Sequence, residues 1–167
     1  VGAGSRMLWI PKLGAFRAGM ARGDEWDVAN IGRFSVALGD QTQASGIAAM
    51  ALGAFSTATG EASLALGSGS FASGVSSVAL GGGMASGLHS VAVGNQTSTN
   101  GKAGSFAVGD NSTGNLLLSS ADHEFSARFA GGYRFFSNSA TSQGLFLTPA
   151  NRLRLGSSAT APRAGLD

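Results

Sequence analysis

The chain has 167 residues, a formal net charge of +2, only 12% charged residues and 27 glycines. So small and weakly charged a residue set excludes a basic nucleic-acid-binding face, and it leaves too few bulky side chains to fill a deep globular core. Cysteine is absent, which excludes disulfides and thiolate metal sites.

No apolar run approaches the roughly 18 residues that cross a bilayer as a helix, and no basic stretch precedes a hydrophobic one at the start. A signal or membrane anchor is therefore expected outside this sequence, and this segment is expected to make no membrane contact.

Residues 1–34 read as an N-terminal β-rich cap or connector, with Arg6-Met-Leu-Trp-Ile-Pro11, Ala15-Phe-Arg-Ala-Gly19 and Glu25-Trp-Asp27 as its main features. Trp9, Phe16 and Trp26 are expected to close that end of the fold. Gly2-Ala-Gly4 lacks the third glycine and preceding strand of a dinucleotide fingerprint. Asp24-Glu25-x-Asp27 carries oxygens without calcium-loop spacing, so it reads as a solvated turn.

Residues 35–114 are an internal repeat. Ser35-Val-Ala-Leu-Gly39, Ala49-Met-Ala-Leu-Gly53, Ser63-Leu-Ala-Leu-Gly67, Ser77-Val-Ala-Leu-Gly81, Ser90-Val-Ala-Val-Gly94 and Ser105-Phe-Ala-Val-Gly109 recur about every 14 residues. Half a period away run Gln43-Ala-Ser-Gly46, Thr57-Ala-Thr-Gly60, Phe71-Ala-Ser-Gly74, Met84-Ala-Ser-Gly87 and Ser98-Thr-Asn-Gly101. Alternation of period two makes both motifs strands, and the glycines at their ends are expected to supply positive φ at sharp corners. The step from Ser77 to Ser90 is one residue short and that from Ser90 to Ser105 one long, which predicts altered turns near Gly81-Gly-Gly83 and Gly104.

Two strands and two turns per unit make a flattened parallel β-roll, an all-β solenoid of about 14-residue coils. Its lumen admits only small side chains, so Ala37, Ala51, Ala65, Ala79, Ala92 and Ala107 should face inward, opposite Ala44, Ala58, Ala72 and Ala85. The large residues then face outward: Val36, Leu38, Met50, Leu52, Leu64, Leu66, Val78, Leu80, Val91, Val93, Phe106 and Val108. A soluble monomer seldom exposes so long an apolar stripe, which marks these twelve residues as an oligomer interface candidate. The second strand turns mostly polar residues outward, among them Ser45, Thr59, Ser73, Ser86 and Asn100.

Over residues 35–114 the pattern Ser-Val-Ala-Leu-Gly followed by Ala-Ser-Gly resembles the head repeat of YadA-like trimeric autotransporter adhesins. The resemblance implies a left-handed roll, with three copies packed around a threefold axis on their apolar strand faces. Residues 115–167, with Phe125-Ser-Ala-Arg-Phe-Ala-Gly-Gly-Tyr-Arg-Phe-Phe136 and Gly144-Leu-Phe-Leu147, are similar to β-rich elements that precede intramolecular chaperone domains in trimeric fibres. They are expected to act as a trimerisation or cap segment. Phe125, Phe129, Tyr133, Phe135 and Phe136, with Arg128 and Arg134, read as packing of that cap rather than as a ligand platform.

An enzyme is not expected, and no cofactor is implied: the sequence holds no Gly-x-Ser-x-Gly elbow, Walker loop or His-Glu-x-x-His motif. His89 falls in a turn of the repeat, and Asp122-His-Glu124 cannot converge on one ion from a single strand. The repeat's charges, Asp40, Glu61, Lys102 and Asp110, do not cluster. Asn95-Gln-Thr97 and Asn111-Ser-Thr113 match the N-glycosylation triplet, a weak signal expected to matter only in a eukaryotic secretory route. Ice binding would need a threonine ladder, whereas Gln43, Thr57, Phe71, Met84 and Ser98 differ from coil to coil.

The leading expectation is a structural or adhesive segment of a trimeric fibre on a bacterial cell surface, with a host-surface protein or a glycan as ligand. A receptor-binding tail-fibre segment of a phage or phage-like injection particle, exposed on the virion, is the alternative.

Overall fold

The computed structural model describes residues 3–137, 143–150 and 153–157. Gly2 and the last ten residues of the expected 115–167 segment lie outside the described residues. The chain divides into two compact units, 1–128 and 129–167.

The first unit is an all-β parallel solenoid with two sheets. Its wide sheet begins with an antiparallel hairpin, Gly4–Ile10 on Ala15–Ala21. It continues in parallel through Val36–Asp40, Met50–Ala54, Leu64–Ser68, Val78–Leu80, Val91–Val93, Phe106–Gly109 and Phe125–Arg128. The narrow sheet is made of two-residue strands, Gln43–Ala44, Thr57–Ala58, Phe71–Ala72, Met84–Ala85, Thr97–Ser98 and Leu117–Leu118. Gln43, Thr57, Phe71, Met84 and Ser98 stack in one column of that sheet.

The register explains the composition. Ala37, Ala51, Ala65, Ala79, Ala92 and Ala107 form one column across successive coils, all fully buried. Ala44, Ala58, Ala72 and Ala85 line the facing sheet, also fully buried. Coils one strand spacing apart, about 4.8 Å, leave no room between such columns for more than a methyl group.

The alternation carries a second inward column that the repeat did not single out: Ser35, Ser63, Ser77, Ser90 and Ser105, with Ala49 in the second coil, are all buried. All of these hydroxyls but that of Ser77 tie off corner carbonyls. Ser63 Oγ donates to Gly60 O at 2.7 Å, Ser90 Oγ to Gly87 O at 2.7 Å and Ser105 Oγ to Lys102 O at 2.9 Å. In the next coil Thr99 replaces the narrow-sheet alanine, and its Oγ1 accepts the Ser86 N–H at 2.9 Å and the Gly87 N–H at 3.2 Å.

The role expected of the glycines needs correction at one corner. Gly39 does adopt a φ of +129°, but Gly46, Gly60, Gly74 and Gly87 do not have positive φ. A Cβ on Gly60 would collide with the Gly74 carbonyl of the next coil, so close approach of backbones selects glycine there. The left-handed residue of that corner lies two positions on and is not glycine: Ala48 at +55°, Ala62 at +52°, Ser76 at +53° and His89 at +52°.

The irregular coils fall at the turns. Val78 pairs with Val91 and Phe71 with Met84, so one residue is missing at Gly81-Gly-Gly83; the extra residue is taken up between Thr99 and Phe106. Strands Leu117–Leu118 and Phe125–Arg128 add one further coil to both sheets. It is reached through an exposed corner, 111–116, that is longer than the corner turns of the preceding coils.

The lumen is closed at the first coil by a residue the sequence did not point to. Arg17 takes the alanine slot opposite Ala37 and is fully buried. Its Nη1 donates to Phe16 O at 2.8 Å and Ser35 O at 3.0 Å, and its Nη2 to Ser35 Oγ at 2.7 Å and Ala44 O at 2.9 Å. Burial lowers this guanidinium to about 10, still charged at neutral pH. Trp26 is buried beside the narrow sheet, its indole N–H donating to Thr42 O at 2.9 Å.

The second unit is a three-stranded antiparallel sheet, Tyr133–Phe136, Gln143–Leu147 and Leu153–Ser157. The Arg134 guanidinium lies 4.9 Å from the Phe136 ring centre and 5.6 Å from that of Phe146, and Phe146 is buried.

Candidate functional site

The outward side chains of the wide strands run in two continuous columns. One passes through Val36, Met50, Leu64, Val78, Val91 and Phe106, the other through Leu38, Leu52, Leu66, Leu80, Val93 and Val108. All twelve residues expected at an interface are therefore brought onto one face. Each is half-buried or exposed, with Met50, Leu66 and Phe106 the most open at 40%, 43% and 39%.

The face is longer than the repeat. The first column continues backwards through Phe16 to Trp9 and forwards to Phe125, and the second backwards through Ala18 to Met7. Trp9 is 62% exposed and Met7 74% exposed. Trp9 and Phe16 therefore do not close the end of the roll as expected; antiparallel pairing in the hairpin turns them onto the outward face, and Trp26 and Arg17 do the closing. The Phe106 and Phe125 rings stack with centres 5.5 Å apart. The clue was present in Arg6-Met-Leu-Trp-Ile-Pro11 and Ala15-Phe-Arg-Ala-Gly19, whose alternation matches that of the repeat.

Charged groups sit at the ends of this face. Arg22 makes a two-pronged contact with Asp40 at 3.1 and 3.2 Å, which raises its pKa through the hydrogen bond and the carboxylate's charge. At the far end Arg128 donates to Asn115 O at 2.7 Å and lies 3.8 Å from Asp110.

The other candidates separate in space. Phe125 and Arg128 belong to the roll, whereas Phe129, Tyr133, Phe135, Phe136 and Arg134 belong to the second unit, so the aromatic and cationic residues of 125–136 lie in two units. His89 and His123 are both exposed at left-handed corner positions. Glu25 accepts the Gly23 N–H at 2.8 Å and the Arg22 N–H at 3.2 Å, which commits it to its own turn. Glu124 accepts the N–H groups of Ser120 and Ala121 and the hydroxyls of Ser120 and Ser126, all within 2.8 Å. Those four bonds hold its carboxyl at about 2.

A family model describing two copies of the YadA head domain repeat matches residues 31–56, 58–83 and 85–112. The roll is a YadA-like head domain. Each of the three matches covers one pair of coils, so the family pattern spans both inward columns and all twelve stripe positions of the head. No curated protein and no solved structure matched the chain.

Proposed function

We propose that this chain is an adhesive or spacing segment of a homotrimeric fibre on a bacterial cell surface, and that the outward face of its head domain is the surface by which three copies associate. The observation that carries the proposal is the pair of apolar columns spanning the roll, with no second layer of the described first unit over them. At about 25 cal/mol per Å² of apolar area removed from water, burying such a face supplies an assembly energy that a lumen of methyl and hydroxyl groups cannot.

The polar narrow sheet would then face outward, where a host-surface protein or a glycan can reach it. The second unit offers a further apolar face of the same kind. Register places Tyr133, Phe135, Leu145, Leu147, Leu153 and Leu155 on one side of its sheet, with Leu153 66% and Leu155 72% exposed. It is assigned to trimer closure.

Multi-angle light scattering on the whole chain tests the reading. A mass three times that of the 16.6 kDa chain is expected at micromolar concentration, and a stable, compact monomer would overturn it.

A further inference from the structure

The two glycosylation triplets, which the sequence could not rank, occupy different environments in the fold. In Asn95-Gln-Thr97 the hydroxyl member is fully buried, and its Oγ1 donates to Gly94 O at 2.7 Å. Thr97 also belongs to the narrow sheet, paired in register with Leu117, and Gln96 before it is locked at a φ of +58°. An enzyme that must engage both asparagine and hydroxyl cannot reach this triplet without pulling a strand out of the roll.

Asn111-Ser-Thr113 lies instead in the exposed corner 111–116, in which every residue is exposed. The other corners turn the chain tightly, so the extra length here projects from the solenoid. The loop is held by local bonds at its start and, at its end, by Arg128, which donates to Asn115 O at 2.7 Å. Asp110 Oδ1 accepts the Ser112 hydroxyl at 2.6 Å and the Ser112 N–H at 3.3 Å, and Thr113 Oγ1 accepts the Asn115 N–H at 3.0 Å. None of these involves the Asn111 carboxamide.

We propose that Asn111 is an N-glycosylation site and that Asn95 is not. The co-reactant is a sugar activated as a diphosphate ester. The Asn111 amide nitrogen forms a bond to the anomeric carbon, the bond from that carbon to the diphosphate oxygen breaks, the diphosphate leaves, and the amide gives up one proton to a base on the transferase. No oxidation or reduction occurs. A glycan there would enlarge the polar surface of a secreted segment without disturbing either sheet.

The test has two arms. Peptide mass spectrometry of the whole chain recovered from the cell that naturally produces it should find a hexose-bearing peptide at Asn111 and an unmodified Asn95. That signal should vanish in Asn111→Gln and Thr113→Ala and persist in Thr113→Ser. In the second arm the purified chain is incubated with a transferase that reads Asn-x-Ser/Thr and a nucleotide-activated hexose. The folded chain should accept one sugar and the heat-unfolded chain two. An unmodified Asn111 in the native material, or labelling of Asn95 in the folded chain, overturns the proposal.

Discussion

Adjacent residues of one wide strand answer to opposite constraints. Inward positions hold only alanine, serine or glycine over the repeat, because the facing sheet and the neighbouring coils close on them from every side. Outward positions accept valine, leucine, methionine or phenylalanine at equivalent points of the same columns. Size is thus set tightly where the solenoid must close, and only apolar character is kept where it need not. An outward set chosen for character alone is what a surface meeting another surface requires.

The sharpest way to break this contrast is a charge on the outward side. Leu66→Asp would place one carboxylate per chain in a dry, symmetric interface, at about 3–5 kcal/mol for each uncompensated charge. Assembly should be lost by light scattering while the strand signature in circular dichroism survives. Undiminished trimer would remove the outward face from the interface.

Overpacking comes next. Ala65→Leu inserts three carbons into a column with no lateral slack, and should cost at least the roughly 1–3 kcal/mol typical of overfilled cores. Ser73→Leu, one residue past the buried Ala72, points outward and should stay within about 0.5 kcal/mol. Equal losses in thermal unfolding would mean that inward and outward had been exchanged. Gly60→Ala sharpens the same point: its backbone φ is not positive, so a loss reports collision with the backbone of the next coil, the Gly74 carbonyl first and the Ser73 oxygen beside it. A cost of about 1–3 kcal/mol is expected in the same thermal scan.

The inward alanines and the outward stripe were legible in the sequence because strand alternation assigns both at once and the small residues admit one orientation only. The ends were not. Arg17 occupies an alanine slot, and a charge there hides the repeat, although Gly19 keeps register with Gly39. The final coil was obscured because Glu124 and Ser126 take the places of serine and alanine in Phe125-Ser-Ala-Arg, and because the 111–116 corner breaks the period. The positive φ was placed on glycine, although residues such as Ala62 and His89 carry it at the second corner; single residues in the left-handed region leave no periodic mark.

Glu124 distinguishes that last coil from the repeat and offers a milder perturbation. Its folded value of about 2 lies below the ordinary 4.5. Its contribution is therefore fully present above about 4.5 and is lost as pH falls through about 2. Between those limits the Ser120 and Ala121 amides should lose hydrogen-exchange protection while the alanine-lined coils keep theirs. Glu124→Gln should show the same loss at neutral pH. Protection unchanged down to pH 2 would mean that the carboxylate does not hold this turn.

The smallest effect is expected within the serine column, where chemistry varies at fixed shape. Ser63 and Ser77 occupy the same slot in successive coils and are equally buried, but Ser63 Oγ donates to Gly60 O while Ser77 Oγ makes no hydrogen bond. Alanine already fills this slot at Ala49, so the methyl fits. Ser63→Ala removes a donor and leaves a corner carbonyl with one partner fewer, a loss of about 0.5–1.5 kcal/mol. Ser77→Ala removes only a buried hydroxyl whose desolvation nothing offsets, and should be neutral or slightly stabilising. The difference between the two melting temperatures therefore isolates the hydrogen bond from the packing. Equal shifts would show that the column is kept for its size alone, and that the inward side is as indifferent to chemistry as the outward side is to shape.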